Sequence, residues 1–520
     1  MASSPLRKGR IALSLIFFTV YSMVLLDLSG TIPVRFTRGI LYLQFAPSVV
    51  HFFTLASLAG LGFIFIILLT FIFGRVYCSS LCPLGVFQDL TARITRRLTH
   101  RKRYHHSRPY RKLNYSVLIV VTAMAFAGFL LPLNLIDPYS NFGRISTGLA
   151  RPALILLNNS IAALLEKNDL YTLPRVAFRN FSLIATLYSA LILIALSLVT
   201  MWHGRLFCNT LCPVGSLLGR VSQYALFKFK IDELRCNSCG RCATSCKSEC
   251  IDSIAHTIDA SRCVSCFNCI GSCPYKGISY NYSQKAATVH ATLVETDKNK
   301  RNLFGGAVAL LSLSALAFVP REIEIGKPST IPEKKKNPIC PPGSKGFEHF
   351  NETCTACHLC VSLCPTQVLK PSVLEYGLIG FLQPLLDYHA SFCNFDCRLC
   401  GEVCPTGAIL PLLAEEKKLL QLGKSIFVKE NCIVHTRKTS CGACSEHCPS
   451  KAVNMVPYEG SLKIPKVNQD ICVGCGACEY ACPTKPYKAI YVDGHRLHQK
   501  AKKPTEKKLE QKKTTEDFPF

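Results

Sequence analysis

The thirty cysteines of this 520-residue chain supply its most specific chemistry. Most lie in blocks in which neighbouring cysteines are separated by two or three residues. Neighbours this close in sequence do not bridge one another comfortably, and the long apolar runs of the chain are foreign to a small disulfide-rich secreted protein. Thiolates at these intervals are typical ligands of a shared inorganic centre. The cysteines therefore predict metal clusters and not a disulfide framework.

Two blocks match the run of a bacterial ferredoxin: CNSCGRCATSC at 236–246 and CVSCFNCIGSCP at 263–274. In such runs the close triplet holds three corners of one [4Fe–4S] cluster, and the fourth cysteine reaches the neighbouring cluster. The predicted ligand sets are Cys236, Cys239, Cys242 and Cys273 for one cluster, and Cys263, Cys266, Cys269 and Cys246 for the other. Lys247 stands where a proline is usual, and Cys250 is an alternative to Cys246. A zinc ribbon has similar spacing, but paired runs with a trailing Cys-Pro favour iron–sulfur clusters.

Four further blocks of four cysteines follow in the second half of the chain. Their predicted ligands are Cys354, Cys357, Cys360 and Cys364; Cys393, Cys397, Cys400 and Cys404; Cys432, Cys441, Cys444 and Cys448; and Cys472, Cys475, Cys478 and Cys482. Six blocks predict about six [4Fe–4S] clusters. Cys432 matches the pattern least well because eight residues separate it from Cys441. Cys340 stands alone and is predicted to be a non-ligand.

A different cysteine motif occurs twice, as GRVYCSSLCPLG at 74–85 and GRLFCNTLCPVG at 204–215. If a helix continues through the motif, thiols four residues apart face one direction and the proline closes the segment. The four thiols are Cys78, Cys82, Cys208 and Cys212. They are either ligands of one metal site, two dithiols that cycle with disulfides, or buried structural thiols.

The elements that must position these motifs are membrane helices. Apolar runs occupy 11–29, 50–73, 115–136 and 181–201, and each approaches or exceeds the roughly 20 residues that cross a bilayer. A fifth, shorter run occupies 303–319. The first run is not a cleavable signal, since a second span follows it. The chain is therefore predicted to be a multi-pass protein of the inner (cytoplasmic) membrane.

Basic residues predict the orientation of these spans. The segment 93–112 carries nine basic residues and no acidic residue, and basic loops next to spans stay in the cytoplasm. Topology thus explains the basic loop without nucleic-acid binding. Four spans return the chain to the cytoplasm near residue 202, so both cysteine pairs face inward. Charges around the fifth run predict that it leads outward, which places residues 320–520 outside.

These motifs carry a family resemblance. Residues 1–290 resemble NapH, the membrane ferredoxin-type component of periplasmic nitrate reductase systems, within a wider group that includes the NosR and CcoG types. Residues 300–490 resemble NapG, a periplasmic partner with four [4Fe–4S] clusters. The chain thus resembles a NapH–NapG fusion, although Lys300 and Arg301 stand where a twin-arginine export signal has two arginines.

The resemblance implies how the last four blocks pair: the first with the fourth, and the second with the third. The implied sets are Cys354, Cys357, Cys360 and Cys482; Cys472, Cys475, Cys478 and Cys364; Cys393, Cys397, Cys400 and Cys448; and Cys432, Cys441, Cys444 and Cys404.

The resemblance also implies a function: electron transfer from the membrane quinol pool, through [4Fe–4S] clusters, to a periplasmic reductase or cytochrome. The protein would then be a component of a quinol dehydrogenase. Two alternatives stay open, namely a maturation or metal-handling factor of the CcoG kind and a polyferredoxin subunit without a substrate site. Quinol oxidation needs a proton acceptor near the membrane surface, for which Asp137 and His51 are candidates. His358 completes a literal C-x-x-C-H haem motif, but haem attachment would consume two cluster ligands.

The expected fold is an α-helical membrane domain of four spans plus a fifth, combined with α+β ferredoxin-like [4Fe–4S] domains. The expected units are a membrane domain at 1–220, a two-cluster domain at 221–290, a fifth transmembrane or signal-anchor helix at 291–320, a linker at 321–350, a four-cluster domain at 351–492 and a basic disordered tail at 493–520.

Overall fold

The computed structural model describes residues 5–28, 30–55, 57, 60–98, 104, 106–107, 109–179, 181–282 and 331–503. The predicted fifth span at 303–319, with Lys300 and Arg301 before it, lies outside the described residues. The prediction of a disordered tail from residue 493 was wrong in its first part, because residues 493–500 belong to the strand Ile490–Lys500, which pairs with Leu420–Phe427; the part beyond residue 503 lies outside the described residues.

The first part of the chain is helical. Its helices are α1 (Pro5–Leu26), α2 (Val34–Leu41), α3 (Phe45–Leu55), α4 (Gly62–Phe73), α5 (Val76–Ser80), α6 (Pro83–Leu98), α7 (Arg111–Phe126), α8 (Leu131–Ile136), α9 (Pro138–Ile145), α10 (Arg151–Glu166), α11 (Leu183–His203), α12 (Leu206–Thr210) and α13 (Pro213–Gln223). A π-helical turn, Ser146–Ala150, joins α9 to α10 without a break. Because Pro152 has no N–H to continue the α-helical ladder, a local change of helix type at this point is expected.

Three helices of the described residues are long and apolar enough to cross a membrane. They are α1, the continuous α9–α10 helix Pro138–Glu166, and α11, with 22, 29 and 21 residues. The first and fourth predicted runs thus form long helices. The α9–α10 helix was not predicted from the sequence, because Asn141, Arg144 and Arg151 interrupt its apolar pattern.

The run at 50–73, predicted as one span, is instead divided between α3 and α4. The two helices pack together, with the rings of Phe52 and Phe63 5.5 Å apart. Gly62 begins α4 where a side chain would collide with the Tyr42 carbonyl oxygen. This close approach requires glycine, and a sequence pattern of apolar residues does not reveal it.

The run at 115–136 is also divided, between α7 and α8. Gly128 follows α7 with a φ of +85°, a conformation that ends a helix and that glycine adopts readily. The run predicted as the third span therefore does not form one continuous helix.

Residues 227–282 form the first cluster domain. Its strands β1 (Phe227–Ile231) and β4 (Ile278–Tyr282) pair antiparallel, as do the short β2 (Ile251–Asp252) and β3 (Thr257–Ile258). Two one-turn helices, Arg241–Ser245 and Asn268–Ser272, pack against each other between the strands. Both helices precede a predicted crossing cysteine. The arrangement is the expected α+β ferredoxin-like fold.

Residues 331–503 form the second cluster domain. Its strands pair antiparallel as β5 (Leu369–Pro371) with β6 (Pro384–Leu386), β7 (Leu420–Phe427) with β10 (Ile490–Lys500), and β8 (Val453–Pro457) with β9 (Lys463–Val467). Its helices are Phe347–Thr353, Leu359–Leu363, Leu399–Val403, Ala414–Lys418, Ile433–Thr436, Ala443–Glu446 and Ala477–Ala481, with a 3₁₀ turn at Lys429–Asn431.

The two cluster domains contact opposite ends of α11. At its beginning, Ala185 packs with Ala356 and Leu382 of the second cluster domain. Just beyond its end, the Arg205 amide donates to the Lys247 carbonyl of the first cluster domain at 2.9 Å. A helix of 21 residues is about 30 Å long. The helical part therefore separates the two domains by about one membrane thickness.

Candidate iron–sulfur centres

The first cluster domain holds two candidate centres. Centre A consists of Cys236, Cys239, Cys242 and Cys273, and all four line one cavity. Centre B consists of Cys263, Cys266 and Cys269 with Cys246. The Cys269 thiol interacts electrostatically with the other three thiols of this set. The structure therefore assembles both groups that the spacing predicts.

Cys250 lies at centre B as well. Its Sγ is 3.5 Å from Sγ of Cys246, and its hydrogen bond lowers the pKa of the Cys246 thiol. The backbone conformation shows which of the two residues is the better candidate for the crossing ligand. Cys246 caps the helix Arg241–Ser245 with φ −82° and ψ 105°, as Cys273 caps its own helix with φ −82° and ψ 114°. Cys246 thus has the conformation of a crossing cysteine, which favours it over Cys250.

The second cluster domain brings its cysteines together differently from the pairing that the resemblance implied. The observed groups are centre C (Cys354, Cys357, Cys360 and Cys404), centre D (Cys393, Cys397, Cys400 and Cys364), centre E (Cys472, Cys475, Cys478 and Cys448) and centre F (Cys432, Cys441, Cys444 and Cys482). The first block pairs with the second and the third with the fourth. The predicted pairing of the first block with the fourth, and of the second with the third, was wrong.

Local helix packing explains this arrangement. The helix Leu359–Leu363 packs against Leu399–Val403, and Ala443–Glu446 packs against Ala477–Ala481. Each helix carries a triplet cysteine and leads into a crossing cysteine. Packing two such helices side by side therefore exchanges the crossing cysteines between successive blocks.

The outlying cysteines also have clear positions. Cys432 is buried, and its thiol interacts electrostatically with those of Cys441 and Cys482. It therefore joins centre F despite the long gap in sequence. Cys340 is fully buried against Phe350 and Tyr376, and burial raises the pKa of its thiol to about 11.

The geometry fits thiolate-ligated clusters. All thirty cysteines lie among the described residues, and all are free thiols. Backbone amides donate hydrogen bonds to several ligand sulfurs. These bonds are Ala356 N to Cys354 Sγ at 3.4 Å, Gly277 N to Cys273 Sγ at 3.3 Å, Ile409 N to Cys404 Sγ at 3.4 Å and Ala452 N to Cys448 Sγ at 3.3 Å. Such bonds tune the reduction potential of a [4Fe–4S] cluster, which transfers one electron at a time.

Centres D and E are adjacent. The Cys393 amide donates to the Cys475 carbonyl at 3.0 Å, and the two thiols interact electrostatically. Because centre C shares its helix pair with D, and E shares its helix pair with F, the order of neighbours is C, D, E and F. The second cluster domain thus presents a row of four centres.

Centre C lies against the membrane helices. Asn134 Nδ2 of α8 donates to the Cys354 carbonyl at 3.1 Å, and Arg144 Nε of α9 donates to the Ala356 carbonyl at 3.1 Å. At Gly143 a side chain would collide with the Cys357 carbonyl oxygen. The helical part therefore holds the loop of this centre directly.

The two Cys-x3-Cys-Pro motifs meet at the other end of the bundle. Their thiols form the four-thiol site, which consists of Cys78, Cys82, Cys208 and Cys212. Each is at most 5% exposed, and the Cys212 thiol interacts electrostatically with the other three.

The sequence repeat is also a repeat in space. Arg75, before the first pair, donates to the Cys208 carbonyl at 3.1 Å, and Arg205, before the second, donates to the Cys78 carbonyl at 2.5 Å. The two guanidinium groups are fully buried. They provide positive charge beside the four thiols, which compensates the negative charge of a metal–thiolate centre.

Lys247 links the four-thiol site to centre B. Its ammonium lies 3.2 Å from an Asp89 carboxylate oxygen, and the same carboxylate pairs with Arg205 at 2.7 Å and with Arg10 at 3.1 Å. Although burial raises the pKa of Asp89, these three cations hold it below its usual range. Lys247 also interacts electrostatically with the Cys266 thiol. Lys247, which stands where a ferredoxin run usually has a proline, is the feature of the sequence that corresponds to this contact.

The two predicted proton acceptors, Asp137 and His51, have different surroundings in the structure. Asp137 is fully buried and caps α9, accepting a hydrogen bond from the Ser140 amide at 2.7 Å. His51 is half-buried, with Nδ1 3.2 Å from Ser57 Oγ, and its ring lies beside Gly407. Asp137 thus has a structural partner, as its position before a proline suggested.

His358 has both ring nitrogens in contact with the protein. Nε2 lies 2.8 Å from the Leu382 carbonyl oxygen, and Nδ1 lies 3.3 Å from Thr147 Oγ1. Burial and the nearby Arg144 lower the pKa of His358 to about 3. These contacts and the membership of Cys354 and Cys357 in centre C argue against haem attachment.

Three protein-family models match four segments of the chain. A family model described as a 4Fe-4S binding domain matches residues 55–102 and 184–232, which include all cysteines of the four-thiol site. Two models described as 4Fe-4S dicluster domains match residues 353–409 and 439–485. Each dicluster match covers two successive blocks, except that the second begins after Cys432, and this agrees with the observed pairing. The chain thus contains ferredoxin-type 4Fe-4S domains together with helices that are long and apolar enough to cross a membrane.

Individual relatives belong to the same class. The chain is 30% identical over 156 residues to the methylamine utilization ferredoxin-type protein MauM of Methylophilus methylotrophus, covering 28% of this chain and 65% of the relative. It is 26% identical over 195 residues to the ferredoxin-type protein NapH of Haemophilus influenzae, covering 36% of this chain and 54% of the relative. It is 24% identical over 225 residues to the putative electron transport protein YccM of Escherichia coli, covering 42% and 54%. The chain thus matches less than two thirds of each relative's length. No solved structure matches it.

Proposed function

We propose that this protein carries electrons from the membrane quinol pool, through its iron–sulfur centres, to an acceptor outside the cytoplasmic membrane. The observation that carries this proposal is the position of the two cluster domains at opposite ends of α11. Candidate electron carriers therefore lie on both sides of the helical part. Oxidation of one quinol to quinone releases two electrons and two protons.

The proposed cofactors are six [4Fe–4S] clusters, one at each of centres A to F. The four-thiol site is proposed as a further metal centre, supported by its buried thiols and by the 4Fe-4S family match over both motifs. Its contact with centre B through Lys247 would connect it to the first cluster domain.

The proposed topology places residues 227–282 in the cytoplasm and residues 331–503 outside. The basic segment at 93–112 supports this orientation. Centre F ends the row of centres in the second cluster domain, so the acceptor, a reductase or cytochrome, would dock near it. We propose the electron-transfer activity, the quinol donor and the acceptor together.

The alternative of a metal-handling factor is less well supported. A factor that passes metal ions to another protein needs accessible ligands, whereas the cysteines of the four-thiol site are at most 5% exposed.

The test is quinol-dependent reduction of the full-length protein in anaerobic liposomes. We expect a reduced menaquinol analogue to reduce the clusters, as followed by visible bleaching and electron paramagnetic resonance. Reduction by dithionite but not by quinol would overturn the proposal. Cys78→Ser and Cys208→Ser would test the four-thiol site. Slower reduction of the clusters by quinol in these variants, with all six clusters retained, would show that the four-thiol site transfers electrons. Unchanged reduction rates would show that the role of the site is structural.

A further inference from the structure

A cleft opens where the helical part meets the second cluster domain. Its walls come from three places: the π turn and beginning of α10, the segment 178–189 that leads into α11, and the loop 358–371. Neither Asp137 nor His51 lines it.

The mouth of the cleft is apolar and faces the surface that lipid would cover. Phe178 and Phe181 line it, are 46% and 49% exposed, and have ring centroids 5.7 Å apart. On the two helices that contribute to the cleft, Leu156 of α10 and Leu187 of α11 are 63% and 59% exposed. Exposed leucines on helices of this length are typical of a lipid-facing surface. A ligand with a lipid tail could therefore enter from the membrane.

The inner part of the cleft is polar. Thr147 Oγ1 and His358 Nδ1 lie 3.3 Å apart, and Arg151 donates to the Val361 carbonyl at 3.3 Å. The Nε atom of Arg151 is buried and has no hydrogen-bond partner among the described residues. Hydroxyl and guanidinium groups can form hydrogen bonds with the oxygens of a quinone or quinol ring.

The cleft adjoins two centres at once. His358 and Val361 line it and lie in the block between Cys357 and Cys364, which belong to centres C and D. Arg151 interacts electrostatically with the Cys364 thiol. A ring bound here would therefore lie next to the beginning of the row of four centres.

We propose that this cleft binds the ring of a quinol or quinone, with its lipid tail leaving along the outer face of the Phe178 and Phe181 pair. The assignment rests on the proposed function, which names the quinol pool as donor. Arg151 and Thr147 supply the polar contacts to the ring oxygens. Apolar walls, a polar interior and two adjacent centres together distinguish this site from the surrounding surface.

Binding is tested on the full-length, cluster-loaded protein with the fluorescent quinol analogue 2-heptyl-4-hydroxyquinoline N-oxide, whose fluorescence is quenched when it binds. Thr186→Trp fills the cleft, and Arg151→Met removes the guanidinium. We expect each to raise the Kd at least about tenfold. Ile194→Trp is the matched control, because it adds the same side chain to an exposed position of the same helix that does not line the cleft; its Kd should stay within about twofold of the parent.

A second measurement locates the ligand directly. A photoreactive azidoquinone should label peptides that contain residues 147–155, 178–189 or 358–371. Unchanged Kd values in both cleft variants, or labelling confined to peptides with His51 or Asp137, would overturn the site. If the parent is still reduced by quinol in that case, the proposed function stands and only its location is wrong. If the parent binds the analogue in the cleft but is not reduced by quinol, the site stands and the proposed function fails.

Discussion

At centre B two thiols are close enough to serve as the crossing ligand. The motif cannot separate them, since Cys246 has the right spacing but lacks the proline, and Cys250 follows four residues later. The structure favours Cys246 because its backbone angles match those of Cys273, Cys364 and Cys404 at the ends of their helices.

We expect Cys246→Ala to remove one cluster and Cys250→Ala to leave all six in place. With four irons at each of centres A to F, the parent should contain about 24 iron atoms per chain in these six centres and the Cys246 variant about 20, in addition to any metal at the four-thiol site. Iron and sulfide analysis after anaerobic purification measures both values. Loss of iron in the Cys250 variant alone would show that Cys250, and not Cys246, is the crossing ligand of centre B.

At the scale of elements, pairs of one-turn helices decide which cysteines share a centre. The structure groups Cys354 with Cys404, whereas the resemblance had implied Cys482. Double variants distinguish these groupings, because two substitutions in one centre remove one cluster and substitutions in two centres remove two.

The variant Cys354→Ala with Cys404→Ala should therefore lose about four irons, and Cys354→Ala with Cys482→Ala about eight. Electron paramagnetic resonance can check that the remaining clusters are equally stable in the two double variants. The reverse order of iron losses would restore the pairing of the first block with the fourth.

A second prediction concerns the packing of the two Cys-x3-Cys-Pro motifs. At Gly85 a side chain would collide with the Cys78 carbonyl and approach Arg205, and at Gly215 it would collide with the Cys208 carbonyl and approach Arg75. Gly85→Ala and Gly215→Ala should each destabilise the protein by about 1–3 kcal/mol, because the added methyl group overpacks the site.

The thermal midpoint of the purified protein measures this effect. Gly39→Ala in α2 is the control, since a side chain there meets no atom within 4 Å and alanine favours a helix. A midpoint that falls equally in all three variants would contradict the close packing of the motifs.

At the scale of the whole molecule, the order of the domains along the membrane normal determines on which side of the membrane each cluster domain can meet its redox partners. Protease sites introduced after residues 282 and 503 test this order. In right-side-out spheroplasts, we expect cleavage after residue 503 and protection after residue 282, with the opposite result in inverted vesicles. Protection of both sites in spheroplasts would place both cluster domains in the cytoplasm.

The sequence by itself determined the kind of centre and the number of candidate ligand blocks. Three ligands of each centre A to E come from one short loop, so local spacing is sufficient to identify them. The first and last of the four apolar runs also predicted α1 and α11 correctly, because an unbroken apolar segment of that length forms a helix in a membrane.

The tertiary structure decided the remaining features, which depend on contacts between residues distant in sequence. The fourth ligand of each centre comes from another block, so helix packing selects Cys404 and not Cys482 for centre C. Close packing at Gly62 divides the run at 50–73, and the meeting of Arg75 with Cys208 brings two motifs 130 residues apart into one site. The spacing of the cysteines shows which ligands are close in sequence, whereas these contacts form only when the helices pack together.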